Sequence, residues 1–189
     1  IIKQLMGSEK HENALEIGSG SWNDWVDADA WPQTLNCINI STIELERGIQ
    51  LAKKMGTYPR MKFSIMDAHA LQFGENSFSL VFGSNILHHL NFSQGVDEVH
   101  RVLKPGGKAI FFEPLILNPI SKCIRLLTPN ARTKDEKPLG TLELRYIKEK
   151  FTHSKFIFFQ LFSVPTGVLS KFVFENPVKD FVRSDSSEV

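Results

Sequence analysis

Cysteine is scarce in this 189-residue sequence: Cys37 and Cys123 are the only two. Neither sits in a CxxC pair or at a His/Cys spacing, which excludes a structural zinc site of ordinary type. So few thiols read as a reducing compartment, and a cytoplasmic location is the expectation. No run of 18 apolar residues occurs, so no membrane-spanning helix and no membrane partner is expected. The start lacks the basic n-region of a signal peptide. Charge of one sign is not in excess either, with 22 Lys and Arg against 21 Asp and Glu. That balance gives no case for a nucleic-acid surface. Lys148-Glu149-Lys150 is the one basic cluster, and its acid and helical context make it a solvated face. There is no internal repeat and no low-complexity segment, and the pattern carries no signal for an oligomeric state.

What is present is a globular composition: 42% of the residues are hydrophobic and 15 are Phe. The length suits one domain, 1–189, with a substantial core. The chain is organised around Asn13-Ala14-Leu15-Glu16-Ile17-Gly18-Ser19-Gly20-Ser21. A short apolar run that breaks into Gly-x-Gly is what a buried parallel strand looks like as it leaves a sheet. The glycines permit a sharp turn and a close approach by a ligand. The dinucleotide fingerprint G-x-G-x-x-G fails, because its third glycine would fall at Asn23.

Strands are expected at about Asn13–Ile17, Leu35–Ile40, Met61–Met66, Ser77–Ser84 and Lys108–Phe112. Ser41 or Thr42, with Glu44 following, caps a helix that Gly56 ends. A second helix runs from about Ser93 to Leu103, and Lys104-Pro105-Gly106-Gly107 reads as a hard stop and turn. This alternation predicts an α/β fold with a doubly wound, mostly parallel sheet. Right-handed crossovers then place every strand's C-terminal end on one edge. Beyond Pro114 the rhythm changes. Leu115–Leu127 reads as an interrupted helix, Thr128–Leu139 as a polar loop, Thr141–Phe151 as a helix and Lys155–Phe162 as an apolar strand, with a polar tail from Ser184.

Four motifs, in order, resemble the core of class I S-adenosylmethionine (SAM)-dependent methyltransferases of the broad small-molecule (type 11) kind. Glu16-x-Gly18-x-Gly20 resembles that family's E-x-G-x-G-x-G, with Trp22 at the third glycine. Met66-Asp67-Ala68 resembles the loop that brackets the adenine. Ser77-Phe78-Ser79-Leu80-Val81 resembles S-F-D-L-V, with Ser79 for its Asp. Glu98-Val99-His100-Arg101-Val102-Leu103-Lys104-Pro105-Gly106-Gly107 is close to E-x-x-R-V-L-K-P-G-G. The resemblance covers 13–114 as a SAM-binding core, leaving 115–154 as an acceptor or lid region and 155–189 as a C-terminal strand and tail. It implies a Rossmann-like sheet ending in an antiparallel hairpin, of which Phe156–Phe162 is the one visible strand.

The resemblance also implies roles. Gly18, Ser19 and Gly20 pass under the methionine part of SAM, and Glu16 orders that turn or also faces the ligand's amino group. Asn39, 23 residues after Glu16, stands where the family has an acid that bonds the ribose hydroxyls, and Ile40 follows it on the cofactor edge. Asp67 accepts from the adenine amino group, Ala68 packs on the ring, and Ser84 and Asn85 line the sulfonium end. Trp22 must turn its ring away from the cofactor or narrow the pocket. Asn39 can still bond a hydroxyl, without charge assistance.

Methyl transfer to a small-molecule acceptor, through oxygen, nitrogen or carbon, is the expected reaction. A hydroxyl acceptor needs a base, and a histidine suits that role near neutral pH. His88 and His89 fall just past the fourth strand, with His89 the preferred candidate; a paired His there can equally just shape the loop. Glu113 either orients an acceptor or bonds backbone amides. The alternative reading is a non-catalytic binding or interaction protein of the same fold with a weakened SAM site, favoured by Trp22 and Asn39. A nucleotide-dependent oxidoreductase is disfavoured by the failed third glycine and by the absence of an acid at 39.

Overall fold

The computed structural model describes residues 5, 10–20, 22–26, 31–115 and 139–158. The chain divides into two compact units, 1–114 with 135–153 and 115–134 with 154–189. Every element named below belongs to the first. Its five strands are β1 (Asn13–Ile17), β2 (Thr34–Asn39), β3 (Met61–Ile65), β4 (Phe78–Ser84) and β5 (Leu103–Phe112). They form one sheet in the order β3-β2-β1-β4-β5, parallel at every pairing. The doubly wound parallel sheet expected from the sequence is the sheet observed.

Three α-helices with bounds among the described residues accompany it: α1 (Thr42–Lys54), α2 (Phe92–Val102) and α3 (Thr141–Lys150). Ser41 caps α1, its hydroxyl accepting from the Glu44 amide at 3.3 Å, and Gly56 follows the helix at φ 72°. Asn91 caps α2 in the same way, through the Gln94 amide. Each central strand is buried on both faces, so its residues divide by parity between two cores. Ala14, Leu35, Cys37, Leu80 and Phe82 pack with Ala52 of α1 and with Trp22 and Trp31. Leu15, Ile17, Ile38 and Val81 pack with Val99 and Val102 of α2. Helix α3 is tied to α2 at Asp97, which accepts from Tyr146 Oη at 2.8 Å and pairs with Lys150 Nζ at 2.6 Å.

Two expectations need correction. The turn at Lys104–Gly107 does not precede the last strand but interrupts it: Leu103 already pairs with Phe78, and pairing resumes at Lys108 with Leu80 after a register shift. The extra residues form a bulge with Gly106 at φ 75°, which is where a strand can hold a proline. Residues 155–158 form no strand, and Ile157 and Phe158 are exposed. Their apolar composition alone does not make a strand, which is defined by a hydrogen-bonded ladder. The remainder of that expected strand, residues 116–138 of the expected lid region 115–154, and the tail lie outside the described residues.

Candidate functional site

The strand order reverses between β1 and β4, and in open α/β sheets ligands bind beyond the strand ends at that point. The glycine turn leaves β1 there. Gly18 and Gly20 have φ values of 72° and 147°, a region that side chains disfavour. The turn is bolted to β2 by the Gly18 and Ser19 amides, which donate to Ile38 O at 3.0 and 3.2 Å. A Cβ at Gly18 would come within 2.9 Å of Ile86, so this glycine makes room for the β4 loop. A Cβ at Gly20 would meet nothing within 4 Å; its backbone is open to a ligand.

Glu16 organises the turn from below. It is fully buried, and its Oε1 accepts from the amides of both Gly20 and Trp22 at 3.1 Å. The Trp22 ring does not approach the open side of the turn. It is 0% exposed, packed edge-on against Trp31 at 6.3 Å within the first core. Trp22 therefore lends the turn its amide and the core its ring. Cys37 lies opposite Glu16 in the β1–β2 register, and burial, then the Glu16 charge, pushes its thiol well up, leaving it an inert core residue.

At the end of β2, Asn39 Oδ1 accepts from the Ser41 amide at 2.9 Å. This fixes the side-chain flip and leaves Nδ2 and the second Oδ1 lone pair for other partners. Ile40 beside it is 74% exposed, an apolar surface at the sheet edge. After β3, Asp67 is exposed and Ala68 is buried at 7% exposure among Leu71 and Val99. Asp67 Oδ1 accepts from the His69 amide at 2.9 Å and from its Nδ1 at 2.6 Å. Those bonds, the amide's first, hold the Asp67 carboxyl below its usual range.

At the end of β4, Asn85 adopts φ 54°, which Asn tolerates better than most residues. Its amide donates to Phe112 O of β5 at 2.8 Å, and its Nδ2 to Ser84 Oγ at 3.2 Å. Glu113 then grips the following turn. Its Oε1 accepts from the Ile86 and Leu87 amides, each at 2.8 Å, and its Oε2 meets His88 Nδ1 at 2.7 Å. Of the two uses expected for Glu113, bonding backbone amides is the observed one. His88 is buried, whereas His89 is exposed, its ring 4.0 Å from that of His88. The structure thus brings Glu16, Gly18, Ser19, Gly20, Asn39, Ile40, Asp67, Ser84, Asn85, His88 and His89 to one edge of the sheet, with Ala68 just beneath it.

This is the geometry in which the comparisons with known proteins fall. A family described as a methyltransferase domain matches residues 15–111, more than half of the chain. The chain belongs to it, a class I SAM-dependent methyltransferase family. It is 26% identical over 122 residues to sterol 4-C-methyltransferase strm-1 of Caenorhabditis elegans, covering 64% of this chain and 36% of that one. It is 38% identical over 128 residues to the demethylmenaquinone methyltransferase of Chlorobaculum tepidum, covering 66% and 50%. It superimposes on the geranyl diphosphate C-methyltransferase of Streptomyces coelicolor with a TM-score of 0.62 at 14% identity, covering 77% and 54%, a likeness of fold alone. The chain spans half or less of the length of these two curated relatives.

In this chain the E-x-x-R of the last motif proves to be a staple. Glu98 accepts from Arg101 Nε at 2.7 Å and Nη2 at 2.8 Å, and from the Leu71 amide at 2.7 Å. Arg101 donates onward to Phe73 O and Leu71 O. The pair thereby fastens the β3–β4 connection to α2, and the Arg101 bond holds the Glu98 carboxyl below its usual range. The i,i+3 spacing was visible in the sequence, but its target loop was not. Ile86 was missed as well: an apolar residue, without its partner, signals no role.

The residues fit a SAM molecule. The open backbone at Gly20, the exposed Ile40 and the exposed Asp67 carboxylate offer, in turn, close approach, an apolar face and an acceptor.

Proposed function

We propose that the chain transfers a methyl group from SAM to a small-molecule acceptor. The observation that carries this reading is the Glu16-ordered turn, open at Gly20 and lying at the point where strand order reverses. SAM, when bound, supplies a methyl activated on a sulfonium, so the protein's task is alignment and the exclusion of water.

Gly18, Ser19 and Gly20 carry the methionine part along their backbone. Asn39 engages the ribose hydroxyls through Nδ2 or its free lone pair, and Ile40 gives the adenine an apolar wall. Asp67 accepts from the adenine amino group through Oδ2. Ala68, buried at 7% exposure, supports this wall from beneath. Ser84 and Asn85 line the sulfonium end. His89, exposed in the turn that Glu113 and His88 brace, takes the proton when the acceptor is a hydroxyl or an amine. Acceptor choice is assigned to 115–139, on its polar and charged sequence. The named relatives act on a sterol and a demethylmenaquinone, consistent with a small-molecule acceptor. Trp22 no longer favours a non-catalytic reading, since its ring occupies core rather than cofactor space.

The test is calorimetric titration of the purified chain with SAM and with its demethylated product. Micromolar binding, followed by turnover in an acceptor screen that His89→Ala abolishes for hydroxyl acceptors, is the expected result. A folded chain that binds neither at millimolar concentration would sink the reading.

A further inference from the structure

His69 makes contacts on both sides of its ring. Its Nδ1 lies 2.6 Å from Asp67 Oδ1, and its Nε2 accepts from the Asn91 amide at 2.9 Å. A ring nitrogen that accepts an N–H carries no proton of its own, so the proton is on Nδ1 and is donated to Asp67. The backbone repeats the tie, because Gln94 Nε2 donates to His69 O at 3.2 Å. Asn91 is the N-cap of α2 and the last residue of the turn that begins at Asn85. Glu113 holds the start of that turn through the Ile86 and Leu87 amides; His69 holds its end.

We propose that His69 is a positioning residue for the cofactor site. It aims the Asp67 carboxylate, occupying Oδ1 so that Oδ2 is left for the amino group of the purine, and it locks that carboxylate to the turn that carries His88 and His89. This rests on the SAM reading above and adds a residue to it. Among the described residues Asp67 Oδ2 takes no hydrogen bond, and the Asp67 side chain is 53% exposed, so without the His69 ring the carboxylate would keep only the His69 amide bond at 2.9 Å and lose its tie to the Asn91 turn. Ordering it in advance removes its ordering entropy from the binding step.

The experiment is titration with S-adenosylhomocysteine, with a thermal melt of each variant as a check on folding. His69→Ala should weaken binding roughly tenfold, the scale of one charge-assisted hydrogen bond. His69→Asn, whose Nδ2 sits where Nδ1 now does, should recover most of the loss. In an Asp67→Ala background, His69→Ala should cost nothing further, because His69 acts through Asp67. If the alanine variant is too unstable, His69→Gln keeps an acceptor for the Asn91 amide while losing the donor to Asp67, and should show the same weakening. A folded His69→Ala that binds within twofold of the wild type, or losses that simply add in the double variant, would overturn the inference. A wild-type chain that binds no S-adenosylhomocysteine would overturn the SAM reading and this inference with it; the two failures are told apart by the wild-type titration alone.

Discussion

Glu113 reaches from the end of β5 to His88 Nδ1 at 2.7 Å, with 5% and 3% of the two side chains exposed. One carboxylate thus satisfies two backbone amides and an imidazole in a site closed to water. It fixes the turn after β4, and with it the place of His89. Buried networks of this kind are costly to break, because removing one member leaves the others buried and unpaired.

Glu113→Gln is expected to destabilise the protein by about 2–3 kcal/mol, because the amide nitrogen cannot accept and leaves a buried donor unpaired. Urea denaturation measures it. His88→Ala in the Glu113→Gln background should cost less than the sum of the single changes, since both belong to one network.

Trp22→Gly restores the third glycine of the family's motif and should nevertheless be damaging. The ring fills the first core, and removing a buried aromatic costs about 3–5 kcal/mol. Affinity for S-adenosylhomocysteine, measured on the fraction that remains folded, should not improve. A tenfold gain would show that the ring does crowd the cofactor.

The Glu98–Arg101 staple makes the protein acid-sensitive. The Glu98 carboxyl is held below its ordinary 4.5, so its contribution to stability is fully present above that value and is lost as the pH falls through the lower folded one. Glu98→Gln should be less stable at neutral pH and should lose less stability on acidification from about pH 5 to pH 3. Thermal melts across that range read both effects. A Glu98→Gln slope as steep as the wild type's would assign the acid sensitivity to Asp67 and Asp97 instead.

Asn39→Asp should keep the bond to the Ser41 amide while adding charge at the N-terminus of α1. That favours the folded state by about 0.3–1 kcal/mol and strengthens the hydrogen bond to a ribose hydroxyl. Tighter S-adenosylhomocysteine binding with a small rise in melting temperature is the expected pair of results. Tighter folding without tighter binding would remove Asn39 from the cofactor site.

Much of this was legible beforehand. β1 matches its expected bounds, and α1, α2 and α3 theirs to within a residue or two, because the Ser41 cap, the Gly56 stop and the apolar spacing are local signals. The bulge at Lys104–Gly107 was not, since Pro-Gly-Gly spells a turn equally well outside a strand and inside an edge strand; only the partner β4 decides. Residues 155–158 form no strand for the converse reason: apolar composition alone does not set a backbone ladder. Glu113 was left with two uses, and the distance between β5 and the β4 loop selected one.

The sequence by itself determined the doubly wound class and the sheet edge to which the glycine turn and the motif loops come. Those follow from periodicity, glycine positions and short-range order, which a chain carries in its local composition. The tertiary structure alone decided that the Trp22 ring faces the core, that His88 is clamped while His89 stays exposed, and that Glu98, Arg101, His69 and Glu113 fasten loops. A side chain's job depends on what folding brings within hydrogen-bond reach. Those partners lie 25 or more residues away for Glu113 with His88, 22 for His69 with Asn91 and 27 for Glu98 with Leu71.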